Sequence, residues 1–335
     1  MSYTNGSRKL ALEYAKKHPE LKDYTLAKKL YTENNQLFLT VESARDAIRY
    51  VRGHKGNRDR YLANKEVQTP LNYDTTNSFV GFDSLAPKLK TFSLPTAIKS
   101  VLFLSDIHLP YQDNDALLEA LDYGAQNGVD CIWLNGDVMD MYQASAHEKL
   151  PSKADLQYEI DFTKDFFRRL RMIFPTQAIY FKEGNHEVRW RRMLMRKAPE
   201  IIGIAEFDLS VILNLNEYGV IWIPNTTLVK FGKLNVIHGN EFMGAGGKHP
   251  ATNLYNKAKA DIIAGDKHRT DNSVVTNIDR SVTRVYSVGC LCDLNPEYYL
   301  MGHTQWNHGF AHITIKDKNY SIKNFRFIDG EIVQN

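Results

Sequence analysis

The chain is short of the residues that mark secreted and membrane proteins. Its 335 residues include three cysteines, Cys131, Cys290 and Cys292. That number excludes a disulfide framework, and the spacing of Cys290-Leu291-Cys292 suits neither an easy bridge nor a zinc knuckle. Reduced, mostly buried thiols are expected. No stretch approaches the roughly 18 consecutive apolar residues that span a bilayer. Met1-Ser2-Tyr3-Thr4-Asn5-Gly6 lacks the apolar core of a secretory leader. A cytoplasmic protein with no membrane partner is therefore expected. Internal repeats and low-complexity tracts are missing too, and 42 Lys and Arg against 39 Asp and Glu leave a net charge of only +3. What remains is a globular composition, 43% hydrophobic, with room for one large catalytic domain and a smaller unit.

The modest charge is unevenly spread. Residues 1–70 carry 14 basic against 8 acidic residues, +6, which leaves −3 for the rest (28 against 31). A basic N-terminal part hints at an anionic partner, nucleic acid being the commonest. Helix formers run from Arg8 to His18 and, after Pro19, from Lys22 to Tyr31. A third helix has Thr40 as its N-cap, Val41, Ala44, Ile48 and Val51 at helical spacing, and Gly53 as its stop. Its other face presents Arg45, Arg49 and Arg52, followed by Lys55, Arg58 and Arg60. Residues 1–62 thus read as a small all-α module resembling a helix-turn-helix unit; the plainer alternative is a solvated charged helix in a docking module.

Residues 63–97 hold Pro70, Asn72, Gly81, Pro87 and Pro95 with little periodicity and read as a linker. The catalytic domain is expected over 98–335. Strands at 101–105, 129–134 and 177–182 alternate with helices near 114–127, 155–173 and 187–198. Short strands follow near 220–223, 227–231, 234–238, 260–264, 282–288, 309–315 and 320–327, with a helix near 251–258. The predicted class is α/β, two packed mixed sheets with helices outside them.

Short Asp, His and Asn clusters sit just after the apolar runs: Asp106-Ile107-His108, Gly136-Asp137-Val138-Met139-Asp140, Gly184-Asn185-His186-Glu187 and His238-Gly239. Carboxyl ends of neighbouring strands in an open sheet converge on one crevice. Imidazoles and carboxylates gathered there suit a pair of divalent ions, which can share a hydroxide and direct it at phosphorus. Asp106 and His108 can turn to one ion, Asp137 is the natural bridge, Asn185 adds a neutral oxygen, and His238 adds an imidazole.

Asp-x-His, Gly-Asp-x-x-Asp and Gly-Asn-His-Glu in this order, followed by a lone His after a strand and a Gly-x-x-His motif, resemble the calcineurin-like metallophosphoesterases over roughly residues 100–315. The resemblance implies a four-layer sandwich. It implies one ion held by Asp106, His108, Asp137 and His268, and another by Asp137, Asn185, His238 and the position of Asp266. It places His186 at the scissile phosphate, as general acid or cationic stabiliser. The family's last motif is Gly-His-x-His; here Gly265-Asp266-Lys267-His268 puts Asp where the first His belongs, which should shift selectivity toward harder metals. Mn²⁺ is the expected ion, ahead of Mg²⁺, Fe²⁺, Zn²⁺ or Ni²⁺. A rival last motif, Gly302-His303-Thr304-Gln305, keeps the first His and lacks the second; 265–268 is favoured because Ala260 to Ala264 reads as a strand and His268 keeps the terminal ligand, with Asn307 and His308 then near the site without binding metal.

Asp140 is expected to orient the loop and Glu187 to cap the next helix or brace His186. Of Arg189, Arg191, Arg192, Arg196 and Lys197, one or two can face substrate phosphates, Arg189 first, with Arg269 another candidate. His147 and His249 read as ordinary loop histidines, and Gly244 to Gly247 as either a mobile lid or a plain turn. The leading functional reading is a phosphodiesterase cutting DNA, resembling small phosphoesterases of phage and bacterial genomes. The alternatives are a phosphomonoesterase or small-nucleotide phosphatase, and a DNA-binding protein with a decayed metal site.

Overall fold

The computed structural model describes residues 5–54, 86, 88–146, 149, 155–244, 247–296 and 303–335. It divides into two compact units, Met1–Ala86 and Pro87–Asn335. Lys55, Arg58, Arg60, His147, Ala245, Gly246 and most of the expected linker lie outside the described residues.

Among the described residues the first unit holds three helices, α1 (Asn5–Lys17), α2 (Asp23–Glu33) and α3 (Val41–Val51). Helical spacing gathers Ala11, Ala15, Leu26, Leu30, Ala44 and Ile48 into a core of its own. Thr40 caps α3: its hydroxyl accepts from the Ser43 amide, and Ser43 Oγ accepts from the Thr40 amide, both at 3.1 Å. Arg52 corrects one sequence expectation. Its side chain is 7% exposed and donates to the carbonyls of His18, Pro19 and Leu21 and to Asp23. It follows α3 directly and turns inward to staple the α1–α2 corner, so it is not offered to a nucleic acid. Arg45, which pairs with Glu42 at 3.3 Å, and Arg49 stay partly exposed.

The second unit begins earlier than the proline-rich composition suggests. Lys90–Ser93 forms β1, which runs parallel to β6 (Thr227–Phe231). The sequence reading passed over β1 because four residues bounded by Pro87 and Pro95 carry no visible period. β2 (Ser100–Leu104), β3 (Cys131–Leu134), β4 (Ala178–Lys182) and β5 (Val220–Ile223) are parallel neighbours. They are joined through α4 (Asn114–Gln126), α5 (Leu156–Ile173) and, after β4, α6 (Asn185–Lys197) and the short α7 (Leu209–Ile212). The remaining elements are β7 (Leu234–Val236), α8 (Pro250–Ala258), β8 (Ile262–Ala264), β9 (Asp271–Thr276), β10 (Val282–Ser287), β11 (Gly309–Lys316), β12 (Asn319–Ile328) and β13 (Glu331–Gln334). One sheet has the order β13-β12-β11-β2-β3-β4-β5 and the other β1-β6-β7-β8-β10-β9. Both are mixed, as expected.

Strand alternation builds the layers. Leu102, Leu104, Ile132, Leu134, Ile179 and Phe181 face the α4–α5 side with Phe167 and Leu170. Their sequence neighbours Val101, Phe103, Cys131, Trp133 and Tyr180 face Val229, Phe231, Val236 and Ile263 of the second sheet. Beyond that sheet, Ile262, Ala264 and Val285 pack with Ala251 and Leu254 of α8. Helices, two sheets and a helix make four layers. Burial on both faces explains why β2 and β3 are unbroken apolar runs.

Candidate metal centre

The C-terminal ends of β2, β3, β4, β7 and β8 carry the clusters singled out in the sequence. Because β11 is antiparallel to β2, its entry at 303–308 reaches the same edge. The loops interlock through the backbone. Asn135 N–H donates to Leu104 O, Asp106 N–H to Gly136 O, His108 N–H to Asp137 O and Gly265 N–H to His238 O. Five residues of the cluster adopt left-handed backbone: Asp106 (φ 57°), His108 (53°), Asp137 (51°), Asp266 (62°) and His268 (53°). Each costs about 1–2 kcal/mol outside glycine, and together they swing both side chains of each Asp-x-His pair to one side. Gly184 and Gly265 let the loops meet, since a Cβ on either would overlap Asp137 and the Ser105–Asp106 pair respectively.

Asp137 is the hub. Its Oδ2 lies 3.2 Å from His238 Nε2, 3.6 Å from His186 Nε2 and 3.9 Å from His108 Nε2. Asn185 Oδ1 is 3.2 Å and Asp266 Oδ1 3.8 Å from His238 Nε2. On the other side His268 Nε2 is 3.2 Å from Asp106 Oδ1. Ligand atoms of Asp106, Asp137 and His238, of His108, Asp137 and His186, and of His108, His268 and Cys292 each fall within 4.8 Å of one another. Asp106, Asp137 and His238 are almost fully buried. His108 Nε2 is buried with no hydrogen-bond partner among the described residues, and such an orphan needs an explanation. A cation supplies it, so the donor set fits a metal centre.

Electrostatics agree. Burial opposes charge on Asp137, yet the imidazoles of His186 and His238 hold its carboxyl well below the usual range. Burial would keep His238 neutral, but Asp137, Asp106 and Asp266 raise it to about 10. His268 is likewise raised well above the ordinary value against its burial, chiefly by Asp106. Imidazoles that bind protons so avidly mark a cluster with too much negative charge for its depth, the condition under which metal ions displace protons.

Tautomers are fixed from outside. His108 Nδ1 donates to Asp140 Oδ1 at 2.9 Å, and His238 Nδ1 to Asn135 O at 2.7 Å, leaving both Nε2 atoms facing inward. Glu187 caps α6 by accepting from the Gly184 amide, one of the two roles the sequence suggested, and it accepts from the amides of Asp137 and Met139, bracing that loop and not His186. His186 Nδ1 donates to Asp140 O, while its Nε2 lies 2.7 Å from Arg189 Nη2. Arginine only donates, so His186 is neutral here and accepts the guanidinium. Burial, the largest cause, lowers its pKa in the same direction.

Asp266 and His268 join the cluster, whereas His303 is exposed; of the two rival last motifs, 265–268 is the one brought to the cluster. Asp266 pairs with Lys267. Arg191 pairs with Glu183 at 2.8 Å and Arg192 is exposed. Arg269 donates to Gly247 O and Gln305 Oε1 and ties two loops together. Asn307 straps its segment to the cluster, its amide donating to His268 O and its Oδ1 accepting from Thr270 N–H. Sequence reasoning missed several neighbours. Cys292 Sγ sits 3.8 Å from His268 Nδ1. Lys182, fully buried, pairs with Glu241 at 2.8 Å, and Glu241 also accepts from the amides of His238 and Gly239. Trp306 packs on His268 with ring centroids 4.1 Å apart. Only the position of Glu241, three residues after His238, gave any local signal.

Residues 99–307 match the calcineurin-like phosphoesterase family, and the chain belongs to it. It is accordingly a metal-dependent phosphoester hydrolase of a dinuclear family. Among known proteins it is similar to the Gene 54 protein of Mycobacterium phage L5, 24% identical over 253 residues that cover 70% of this chain and 98% of the phage protein. Similar solved structures include Vacuolar Protein Sorting 29 from Cryptosporidium parvum, at 14% identity and TM-score 0.38, covering 70% of this chain and 95% of that one. A dimetal phosphatase from Danio rerio matches at 10% and 0.35, covering 68% and 96%. The E. coli phosphoesterase Yfce matches at 13% and 0.33, covering 70% and 96%. Among the described residues no helix is long and apolar enough to cross a membrane.

Proposed function

We propose that the chain is a phosphodiesterase acting on DNA, with the second unit, residues 87–335, as its catalytic domain and residues 1–62 as a basic module that brings it to nucleic acid. The observation that carries the reading is the convergence of the His108, His186 and His238 imidazoles on Asp137 Oδ2, with the Asn185 amide oxygen and the Asp266 carboxylate beside His238. Asp106, His108, Asp137 and His268 would hold one ion, and Asp137, Asn185, His238 and Asp266 the other. When bound, the pair supplies Lewis acidity that activates water and offsets phosphoryl charge. Mn²⁺ suits this mixture of nitrogen and oxygen donors, with one imidazole of the family pattern replaced by Asp266.

The chain's own residues do the rest. Asp137 reaches both ligand groups. Asn185 limits negative charge where a phosphodiester must approach. Arg189, lying against His186 Nε2, brings a fixed positive charge to the place where the leaving oxygen gains electrons. His186, which the resemblance placed at the scissile phosphate as general acid or cationic stabiliser, is here read instead as the neutral acceptor that positions that guanidinium. Asp140 and Glu187 hold His108 and the Asp137 loop in register. Arg45 and Arg49 on α3, with the +6 balance of residues 1–70, support a polyanionic substrate. The free, buried Cys131, Cys290 and Cys292 suit a reducing compartment and support a cytoplasmic location.

The test compares bis-p-nitrophenyl phosphate, p-nitrophenyl phosphate and labelled single- and double-stranded DNA, with Mn²⁺, Mg²⁺ or chelator, and Asp137→Asn as the blank. Metal-dependent cleavage of the diester and of DNA, lost in the blank, is expected. Preference for the monoester would replace the reading with a phosphatase. Arg49→Glu should weaken DNA binding and flatten its salt dependence while sparing the small diester; equal loss of both would assign the helix to folding.

A further inference from the structure

Beside the His268 ring lies a thiol that the phosphoesterase chemistry leaves unused. Cys292 Sγ is 3.8 Å from His268 Nδ1, while His268 Nε2, on the other edge of the ring, faces Asp106 Oδ1 at 3.2 Å. An ion with bonds of about 2.3 Å to sulfur and about 2.0–2.1 Å to nitrogen holds those two atoms roughly 3.6 Å apart at a tetrahedral angle. The separation of Cys292 Sγ and His268 Nδ1 is close to that. His108 completes the set. Its Nδ1 is held by Asp140 Oδ1 at 2.9 Å, and its Nε2 is buried without a hydrogen-bond partner among the described residues. Ligand atoms of His108, His268 and Cys292 all fall within 4.8 Å of one another, and all three residues are buried. A cleft of about 30 Å³ lined by His108, Tyr111, Asp140, Cys292 and Trp306 leads to them. That volume admits a single ion or water, and it supplies the entry path that a metal site needs. The other thiols are engaged elsewhere: Cys131 packs between the sheets, and Cys290 Sγ donates to Asn307 O at 3.6 Å.

We infer that Cys292 Sγ, His268 Nδ1 and His108 Nε2 form a separate site for one thiophilic divalent ion of the zinc and cadmium class. Thiolate and imidazole together are donors that such ions take in preference to Mn²⁺ or Mg²⁺. Three protein donors with a fourth position left to water make an accessible tetrahedral site. On binding, the Cys292 thiol gives its proton to water and the thiolate takes the ion. Asp106 then accepts from His268 Nε2–H, the outer partner that fixes the ring in the tautomer with Nδ1 free for the ion. The proposed catalytic ion beside Asp106 needs His108 Nε2 as well, so the two positions exclude each other and the thiophilic ion is an inhibitor. That consequence rests on the two-ion phosphodiesterase reading; the binding of the thiophilic ion stands without it.

The experiment adds Cd²⁺ to the Mn²⁺-loaded full chain and follows the ultraviolet thiolate-to-cadmium charge-transfer band, with bound Mn²⁺ measured by elemental analysis. A band that saturates at one Cd²⁺ per chain, with one Mn²⁺ released, is expected. In Cys292→Ser the band is lost. The Cd²⁺ concentration that halves hydrolysis of bis-p-nitrophenyl phosphate, referred to that variant's own Mn²⁺-supported rate, rises about ten-fold or more. Cys290→Ser keeps the band. No band at excess Cd²⁺, or a band that survives in Cys292→Ser, would overturn the site, and a full band with both Mn²⁺ ions retained would overturn the exclusion. Anomalous diffraction from wild-type crystals soaked in Cd²⁺ decides the matter without a variant. A peak in contact with Cys292 Sγ and His268 Nδ1 is expected, and a peak only between Asp106 and Asp137 overturns the site. If the chain binds no Mn²⁺ and cleaves no diester, the two-ion reading fails, while a Cd²⁺ peak on Cys292 still supports the thiol site.

Discussion

Arg189 and Glu159 show how single side chains outside the ligand set control the centre. Arg189 also donates to Asp140 O at 2.9 Å, so the guanidinium is clamped against His186 before any substrate arrives. Arg189→Ala should lower kcat about 10²-fold while the protein keeps its metal content by elemental analysis; loss of metal along with activity would make Arg189 a structural brace. Glu159 is buried under the same loop, accepts from the Met141 amide, and is raised by burial from 4.5 to about 8. The folded chain thus keeps a proton at Glu159 that the unfolded chain has already released near pH 4.5. Stability from this group is complete below pH 4.5 and is lost as the pH climbs through about 8. Glu159→Gln should flatten that loss, gaining on the order of a few kcal/mol over the wild type between pH 5 and pH 9 in denaturant unfolding. Parallel pH profiles would contradict it.

At the scale of elements, the turn from β4 into α6 is a tight junction. Gly184 sits against Asp137, and its amide is held by Glu187 at 2.8 Å. Gly184→Ala must push the two loops apart, so it is expected to abolish metal retention while the sheets persist; retained metal with full activity would show that the junction has slack. In the helical module Arg52 joins three backbone carbonyls and Asp23. Arg52→Ala should cost about 3 kcal/mol, seen as lost amide-exchange protection across α1, α2 and α3, and unchanged protection would mean water replaces the guanidinium without penalty. These junctions also mark how far the sequence could be read. The strand-end clusters were legible because short apolar runs ended in Asp, His and Asn, and α3 because its cap, period and stop agreed. Arg52 was misread because spacing along α3 does not reveal that the residue after the helix turns back over the α1–α2 corner. β1, β9 and β13 were missed since none of them has a buried residue to write a pattern. Cys292 reaches the centre through the backbone bonds of its segment to Asp106 and Tyr111, and Trp306 through the bond from Asn307 N–H to His268 O, contacts between residues far apart in the chain.

At the scale of the molecule, two sheets with opposed apolar faces bring strand ends that lie 160 residues apart, Asp106 and Asp266, within one hydrogen bond of each other, the Asp266 amide donating to Asp106 Oδ2 at 2.9 Å. The centre is therefore a property of the whole second unit. On the proposed reading this convergence holds two cations that share Asp137. The most direct measurement is anomalous diffraction at the manganese edge from crystals grown with Mn²⁺. Two peaks about 3.5–4 Å apart, flanking Asp137 and bounded by His108 and His268 on one side and Asn185 and His238 on the other, are predicted. Absence of any peak there at saturating metal, or peaks only at surface carboxylates, would contradict the account.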